Sequence, residues 1–184
     1  MPDFTTPPRL RVATAADADA IAALHTASWR SAYRDALSEA YLQGPIEQER
    51  LAFWRDRYRH AGPGLWTVVA ENAKGSLVGF LCALLDHDRD WGNYIHNLHV
   101  DPDAKQQGIG RMMMRAAADH FVYALPRRPV YLFVLQSNIA AQAFYDRLGG
   151  DPVEELVATQ PDGTSARAIR YSWPSVAAFA ERVA

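Results

Sequence analysis

The densest chemistry in this chain lies where a loop turns into a helix, at Lys105-Gln106-Gln107-Gly108-Ile109-Gly110. The stretch sits between a strand-like run, Tyr94 to Val100, and a strongly helical run, Ile109 to Leu125. Two glycines one residue apart at such a junction leave backbone N–H groups bare and let a ligand come close. A helix N-terminus carries partial positive charge and welcomes an anion. Lys105, Arg111 and Arg115 surround the spot with cations. Arg111 and Arg115 stand one turn apart near the positive end of the helix, an unfavourable placement without a counter-anion. The pattern reads as a seat for a phosphate-bearing ligand; a glycine-rich turn with no ligand is the competing reading. It is not a Walker loop, because no Gly-Lys-Ser/Thr run follows a glycine at the required spacing. It is also a poor dinucleotide fingerprint, since the third glycine position falls on Met113 and the loop lies past mid-chain.

The elements around this loop follow from pattern and punctuation. Arg9 to Ala13 reads as a first strand, with Thr14 or Asp17 placed to cap the next helix. That helix puts Ile21, Leu24, His25 and Ser28 on one face, continued by Trp29 and Tyr33. A second helical segment, about Ser38 to Arg59, breaks near Gly44-Pro45 and ends at Gly62-Pro63-Gly64. Strands Leu65 to Glu71 and Ser76 to Leu85 flank the turn Asn72-Ala73-Lys74-Gly75 as a hairpin. A polar loop, Asp86 to Gly92, leads to a strand at Asn93 to Val100. The helix after the glycine loop repeats Ile109, Met112, Met113, Ala116, Ala117 and Phe121 at helical spacing, so one face packs on a sheet. Pro126 to Pro129 end it, and Val130 to Leu135 reads as a central strand buried on both faces. Ser137 or Asn138 caps a helix ending at Gly149-Gly150. Val153 to Gln160 and Ala166 to Trp173 flank a turn at Pro161 to Thr164, and Pro174 to Val183 forms a short terminal helix. The result is an α/β domain with a mixed sheet. The strands ending at Val100 and Leu135 lie side by side in parallel, and their carboxyl ends open a crevice.

Composition bounds the alternatives. A chain of 184 residues, 49% hydrophobic and 22% charged, fits one soluble globular domain. A net charge of −2 does not favour a nucleic-acid surface. No apolar run reaches the length of a membrane span, and Met1 to Pro8 lacks an apolar signal core, so a cytoplasmic location is expected. The single cysteine, Cys82, lies in an apolar run and reads as a buried small hydrophobe.

In element order and in its motifs the chain resembles the GNAT superfamily, the acetyl-CoA-dependent N-acetyltransferases. Lys105 to Gly110 is similar to that family's pyrophosphate loop, Gln/Arg-x-x-Gly-x-Gly/Ala, with Lys in first place. The change keeps charge and loses planar side-chain bonding. Leu98-His99-Val100-Asp101-Pro102 resembles the fourth strand and its exit, and Asn138 to Gly149 resembles Asn-x-x-Ala-x-x-Phe-Tyr-x-x-x-Gly. The resemblance implies a mostly antiparallel, mixed central sheet of about seven strands flanked by helices, with a splayed pair of parallel central strands. It implies a single domain over 1–184. Acceptor-side helices would span about 15–60, an acetyl-CoA-binding core about 65–150 and a C-terminal hairpin about 151–173.

It also implies roles. Lys105, Gln106, Gln107, Gly108, Ile109, Gly110 and Arg111 would hold the pyrophosphate. Leu98, His99 and Val100 would pair their backbone with the pantetheine arm, one N–H holding the thioester carbonyl and then the oxyanion. Asn138 and Tyr145, seven residues apart, share a helix face toward the cofactor. Tyr145 would protonate the departing thiolate; packing over the sheet is its alternative. Without a bulge, Tyr94, His96, Leu98 and Val100 alternate onto one strand face. His96 is the candidate base, titrating near neutrality, with Tyr94 placed to hold a relay water. The alternative is a hydrogen-bonding His96 and an amine deprotonated by bulk water. His99 is expected on the opposite face in a structural role. Trp29, Tyr33 and Trp54 would wall the acceptor pocket, and Asp86, Asp88 and Asp90 form either a solvated turn or a lure for a cationic amine. Asp86, His87, Asp88 and His96 fit no metal motif, so no metal is expected. The function implied is acetyl transfer from acetyl-CoA to a primary amine of a small molecule, amino acid or peptide N-terminus, by direct attack in a ternary complex. A non-catalytic acetyl-CoA sensor of the same fold is the alternative. Expected partners are acetyl-CoA and an amine acceptor, without nucleic acid or membrane; a homodimer is left open.

Overall fold

The computed structural model describes residues 7–34, 36–125 and 127–184. The readings of residues 1–6 and of Pro126 lie outside them. The first half of the chain forms β1 (Arg9–Val12), a 3₁₀ turn (Ala15–Asp17), α1 (Ala18–Ala32), α2 (Glu39–Gln43) and α3 (Ile46–Arg59). A meander follows: β2 (Leu65–Glu71), β3 (Leu77–Asp88) and β4 (Gly92–Val100). After a 3₁₀ turn (Pro102–Ala104) come α4 (Ile109–Ala124), β5 (Val130–Leu135) and α5 (Ile139–Arg147). The chain closes with β6 (Asp151–Thr159), β7 (Ser165–Trp173) and α6 (Val176–Val183). The sheet has seven strands in the order β1-β2-β3-β4-β5-β7-β6, antiparallel except for the pair β4–β5. This is the expected fold class. Among the described residues no helix is long and apolar enough to cross a membrane.

Strand alternation sorts the core into two layers. Val69, Phe80 and Cys82 point to one side and pack with Ile21, Leu24 and Trp54 of α1 and α3. Val68, Leu81 and Ala83 point to the other and pack with α4, Tyr145 and α6. In α4 the buried set is Ile109, Met113, Met114, Ala117, Ala118 and Phe121, while Met112 and Ala116 are half-buried. The stripe is rotated from the expected one because α4 must satisfy two neighbours, the sheet below and Phe179 of α6 beside Phe121. The polar loop between β3 and β4 is shorter than expected, because β3 continues to Asp88 and β4 begins at Gly92.

The base of the parallel pair is tightly fastened. Asn93 donates its backbone N–H to the Pro129 carbonyl at 2.9 Å. Arg128, next to β5, grips the β3–β4 turn through the Asp86 carboxylate (2.7 Å) and the carbonyls of Asp88 (2.7 Å) and Arg89 (2.8 Å). Gly92 has φ 73, and a Cβ there would lie 2.5 Å from the Pro129 oxygen. Gly75, at φ 77, has nothing within 4 Å of such a Cβ. Gly75→Ala should therefore cost about 1–2 kcal/mol, the left-handed backbone penalty alone. Gly92→Ala adds about 1–3 kcal/mol of overpacking. Denaturant unfolding of the two variants checks this; equal losses would show that the β4–β5 base is not closely packed.

Candidate active site

The fastened base opens into a crevice. Strands β4 and β5 pair only at Asn93↔Val130 and Tyr94↔Tyr131. Beyond those rungs β4 runs on to Val100 and β5 to Leu135, with facing edges that carry unpaired backbone donors and acceptors. Both helices that follow these strands start at the open end. Gly108 is the N-cap of α4 and Asn138 the N-cap of α5, where its side chain accepts the Ala141 N–H at 3.1 Å. Of the two cap candidates for α5, Asn138 is the one used.

The glycine loop has the geometry of an anion seat. Gln106 (φ 65) and Gly108 (φ 78) are both left-handed, a backbone form that turns successive N–H groups toward one concavity. The first turn of α4 has no acidic residue and no side-chain cap, so its leading amides are open. A Cβ on Gly108 would meet nothing within 4 Å, which leaves the space above it for a ligand. Lys105, Gln106 and Gln107 are exposed around it, whereas Ile109 is 2% exposed and offers only its backbone. Gly110 serves packing as well: a Cβ there would come within 3.3 Å of Phe144, so α4 and α5 approach closely at the site. The Arg111 guanidinium bonds the backbone carbonyl of Ala184, so its amide rather than its side chain lines the loop.

Strand β4 departs from simple alternation. Asn97 pairs with Cys82 and Ile95 with Ala83, which leaves His96 as the extra residue of a β-bulge. The expected common face of Tyr94, His96, Leu98 and Val100 is therefore wrong. Leu98 and Val100 join the α4-side core, while Tyr94, His96 and His99 share the side of α1 and α3. His99 consequently sits on the same side as His96, not the opposite one. Its Nδ1 lies 2.8 Å from the Ser28 hydroxyl, and its ring packs on Phe80 and His25, in keeping with a structural role.

His96 is set by its neighbours. Its Nδ1 is 2.5 Å from Asn97 Oδ1, a contact with a carbonyl oxygen that requires the proton on Nδ1 and leaves Nε2 as acceptor. Arg57 Nη1 stands 3.3 Å from the same nitrogen. Burial first, and the Arg57 charge second, push the imidazole down to about 4. The expectation of titration near neutrality is thus corrected. Burial also lowers His99 to about 3 and holds His25 well below its usual value, with neighbouring cations adding to both. His25 is 1% exposed and accepts the Trp54 indole N–H at 3.0 Å.

The side of the sheet that His96 faces is covered by α1 and α3. Trp29 and Tyr33 pack edge to face at 5.5 Å, half-buried, against the small cluster of Leu37, Tyr41, Leu42 and Ile46. Trp54 is fully buried against Phe80 and belongs to the core, so it walls nothing. The half-buried side chains of α3 beside His96 and Trp29 are Arg50, Phe53 and Arg57, which the sequence reading missed. Their i, i+3, i+7 spacing on one helix face was the available signal. Tyr94 stacks on Tyr131 at 4.8 Å and meets His96 edge to face at 5.2 Å. Asp86 is paired with Arg128, and Asp88 accepts the N–H groups of Asp90 (2.8 Å) and Trp91 (2.9 Å), so this acidic segment is a structural turn. Among the described residues no three His, Cys, Asp or Glu side chains converge as metal ligands.

Tyr145 is 7% exposed and packs among Phe144, Tyr171 and Trp173. Burial raises its phenol above the ordinary range, with Tyr33 contributing, so it stays protonated and able to donate. The Asn138 side chain partly offsets the burial that raises Tyr33. Tyr33, Asn138 and Tyr145 thus meet at the mouth of the crevice, from α1 and α5.

Comparison with known proteins agrees with this geometry. The Acetyltransferase (GNAT) family profile matches residues 23–150. The chain belongs to the GNAT acetyltransferase family. The [ribosomal protein bS18]-alanine N-acetyltransferase of Escherichia coli K12 is 32% identical to it over 111 residues, 56% of this chain and 69% of that protein. The uncharacterized N-acetyltransferase YuaI of Bacillus subtilis 168 is 23% identical over 176 residues, 92% of this chain and 95% of that protein. The PaiA N-acetyltransferase of Thermoplasma acidophilum, crystallised in complex with coenzyme A, shares the fold. It has a TM-score of 0.68 at 15% identity, over 91% of this chain and all of that one.

The buried histidines of this acetyltransferase give its stability a pH dependence. In the unfolded chain each titrates near about 6.5. In the fold His96 titrates at about 4, His99 at about 3 and His25 well below its usual value. Between those limits the unfolded state binds more protons, so stability is full above the unfolded pKa and drains as pH falls toward the folded values. Each histidine contributes a slope of up to about 1.4 kcal/mol per pH unit. Urea titrations from pH 7 to 4.5 should show this loss, and His25→Asn, which keeps an acceptor for Trp54, should lower the slope by about one proton. An unchanged slope would mean that His25 is not held neutral by the fold.

Proposed function

We propose that this GNAT protein transfers an acetyl group from acetyl-CoA to a primary amine by direct attack in a ternary complex. One observation carries the reading: the crevice between β4 and β5 opens beside an uncapped helix start whose Gly108 leaves room for a pyrophosphate. The β4 edge around Leu98, His99 and Val100 lies between the two, where an extended pantetheine arm can add its hydrogen bonds to a strand without a partner.

The chemistry then divides among the placed residues. The amine nitrogen bonds to the thioester carbon, and the carbonyl oxygen gathers charge against a β4 backbone N–H. The carbon–sulfur bond breaks as Tyr145, kept protonated by burial, gives its proton to the thiolate sulfur; the attacking nitrogen sheds its surplus proton to solvent, and Tyr145 takes one back, so the protons balance. His96, at about 4, is several units below an α-amine at about 7.7–8.0, so it does not strip a proton from an ammonium ion. The amine enters as free base, and His96 Nε2 accepts its hydrogen bond and orients it.

Acetyl-CoA should raise the melting temperature, as a ligand that prefers the native state must. Gly108→Asp should abolish that rise, by placing a side chain and a negative charge in the anion seat. A folded Gly108→Asp protein that still gains stability from acetyl-CoA would end the proposal.

Tyr145→Phe should leave the acetyl-CoA-induced rise nearly intact and lower turnover by about a hundredfold or more. Turnover is read as CoA thiol release when amines are added, which also separates an enzyme from a sensor. Normal turnover would reduce Tyr145 to a packing residue.

A further inference from the structure

The face of α3 that looks onto His96 is strongly cationic and lacks its counter-charge. The Phe53 ring lies between two guanidiniums, Arg50 at 5.0 Å and Arg57 at 4.6 Å from its centroid. Arg50 also covers Trp29 at 4.8 Å. Among the described residues neither Arg50 nor Arg57 pairs with a carboxylate within 4.0 Å, and both are half-buried, whereas the other arginines without such a pair are exposed. Arg50 Nε is buried without a hydrogen-bond partner. Arg57 Nη1 donates to Cys82 Sγ at 3.3 Å and only stands beside His96 Nδ1, at 3.3 Å, leaving the rest of its fork for another group. The standing charges that bear on His25, His96 and His99 are cationic, from Arg50, Arg57 and Lys105.

Two ordinary explanations cover part of this. Arg57 stands in the last turn of α3, where the helix dipole favours a cation, and both guanidiniums gain from aromatic faces. Neither accounts for Arg50, which lies in the first half of α3 with a buried, unpartnered Nε. A half-buried charge is costly without a partner, and two like charges around one ring repel. A polyamine would add more positive charge to this place. A carboxylate would complete it, since the arginine fork matches carboxylate geometry in two parallel bonds.

Resting on the acetyltransferase reading above, we propose that the acceptor is a free α-amino acid with an apolar side chain. Its carboxylate would seat on the Arg57 fork and its amine beside His96, with Arg50 adding positive charge from across the Phe53 ring. Arg57 touches the His96 ring, Nη1 to Nδ1 at 3.3 Å, so a carboxylate on the free side of the guanidinium and an amine at Nε2 can belong to one small molecule, and Trp29, Phe53 and Tyr94 supply half-buried aromatic walls for the side chain. Attack by the amine forms the amide bond, breaks the thioester and releases an N-acetyl amino acid and CoA thiol. A peptide N-terminus is disfavoured, because an amide stands where the carboxylate should be.

The test compares phenylalanine with phenylalaninamide, leucine with leucinamide, and spermidine, at equal concentrations of free amine, by CoA thiol release. The acids should exceed their amides by about tenfold to a hundredfold in kcat/KM, mainly through KM. Arg57→Gln and Arg50→Gln should each shrink that ratio toward one, and Arg57→Lys should keep part of it. A retained acetyl-CoA-induced rise in Tm identifies the folded variants. Amides or spermidine equal to or better than the acids, or a ratio that survives both arginine variants, would overturn the amino-acid assignment and leave acetyl transfer standing. Acetyl-CoA binding with no thiol release from any of these amines would remove both.

Discussion

The structure depends on one divergence: two parallel strands joined at their base and held apart beyond it. Parallel neighbours normally bond along their shared length, and breaking that pairing leaves polar backbone exposed in the middle of a sheet. Here the cost is contained by making the base rigid. The Arg128 grip on the β3–β4 turn and the Gly92–Pro129 contact fix where the strands meet. The bulge at His96 then bends β4 away. The same bulge returns His96 and Asn97 to the side of α1 and α3 and Leu98 to the α4-side core. One inserted residue thus sets both where the strands part and which way the His96 ring faces.

The two faces of the sheet carry different halves of the work. On the α4 face a nest of open amides and an exposed lysine await an anion. On the α1 and α3 face three histidines are kept neutral by burial while two arginines hold the positive charge. The halves meet only at the mouth of the splay, through Tyr33, Asn138 and Tyr145. A histidine pushed down this far makes a weak base at neutral pH and a dependable hydrogen-bond acceptor. The environment that makes it so is the one that favours an anion nearby.

Much of this was legible in the sequence, for identifiable reasons. Elements that obey local punctuation stood within a few residues of their predicted ends: the Asn72–Gly75 hairpin, the break at Gly44-Pro45, the all-apolar β5 and the Gly108 helix start. The parallel pairing of β4 and β5 followed from the helices that succeed each strand. The errors lie where a tertiary neighbour decides. A β-bulge has no composition signal in Tyr94-Ile95-His96-Asn97, so the period-two rule put His96 and Leu98 together and His99 apart. Trp54 was read as a pocket wall because aromatic residues at helical spacing look alike whether they face ligand or core. Arg50 and Arg57 were overlooked because arginines on helices are ordinary; half-burial without a carboxylate partner marks them, and neither property is visible in a sequence.

The acceptor-side helices are not a loose lid over the crevice. Asp162, at the tip of the β6–β7 hairpin, accepts the Ser38 N–H at 2.8 Å just before α2. That bond and Thr164 lower the carboxyl to about 2, so it stays ionised across the working pH range. On the other side, Tyr41 donates to Glu49 at 2.7 Å and ties α2 to α3. The Arg30 Nε bond to the Leu42 carbonyl at 2.8 Å ties α1 to α2. Trp29, Tyr33, Arg50 and Phe53 are therefore fixed to one another before any acceptor enters. A wall fixed in this way presents charge and shape already in place, with the half-buried Arg50 and Arg57 guanidiniums set against Phe53 from the moment of folding.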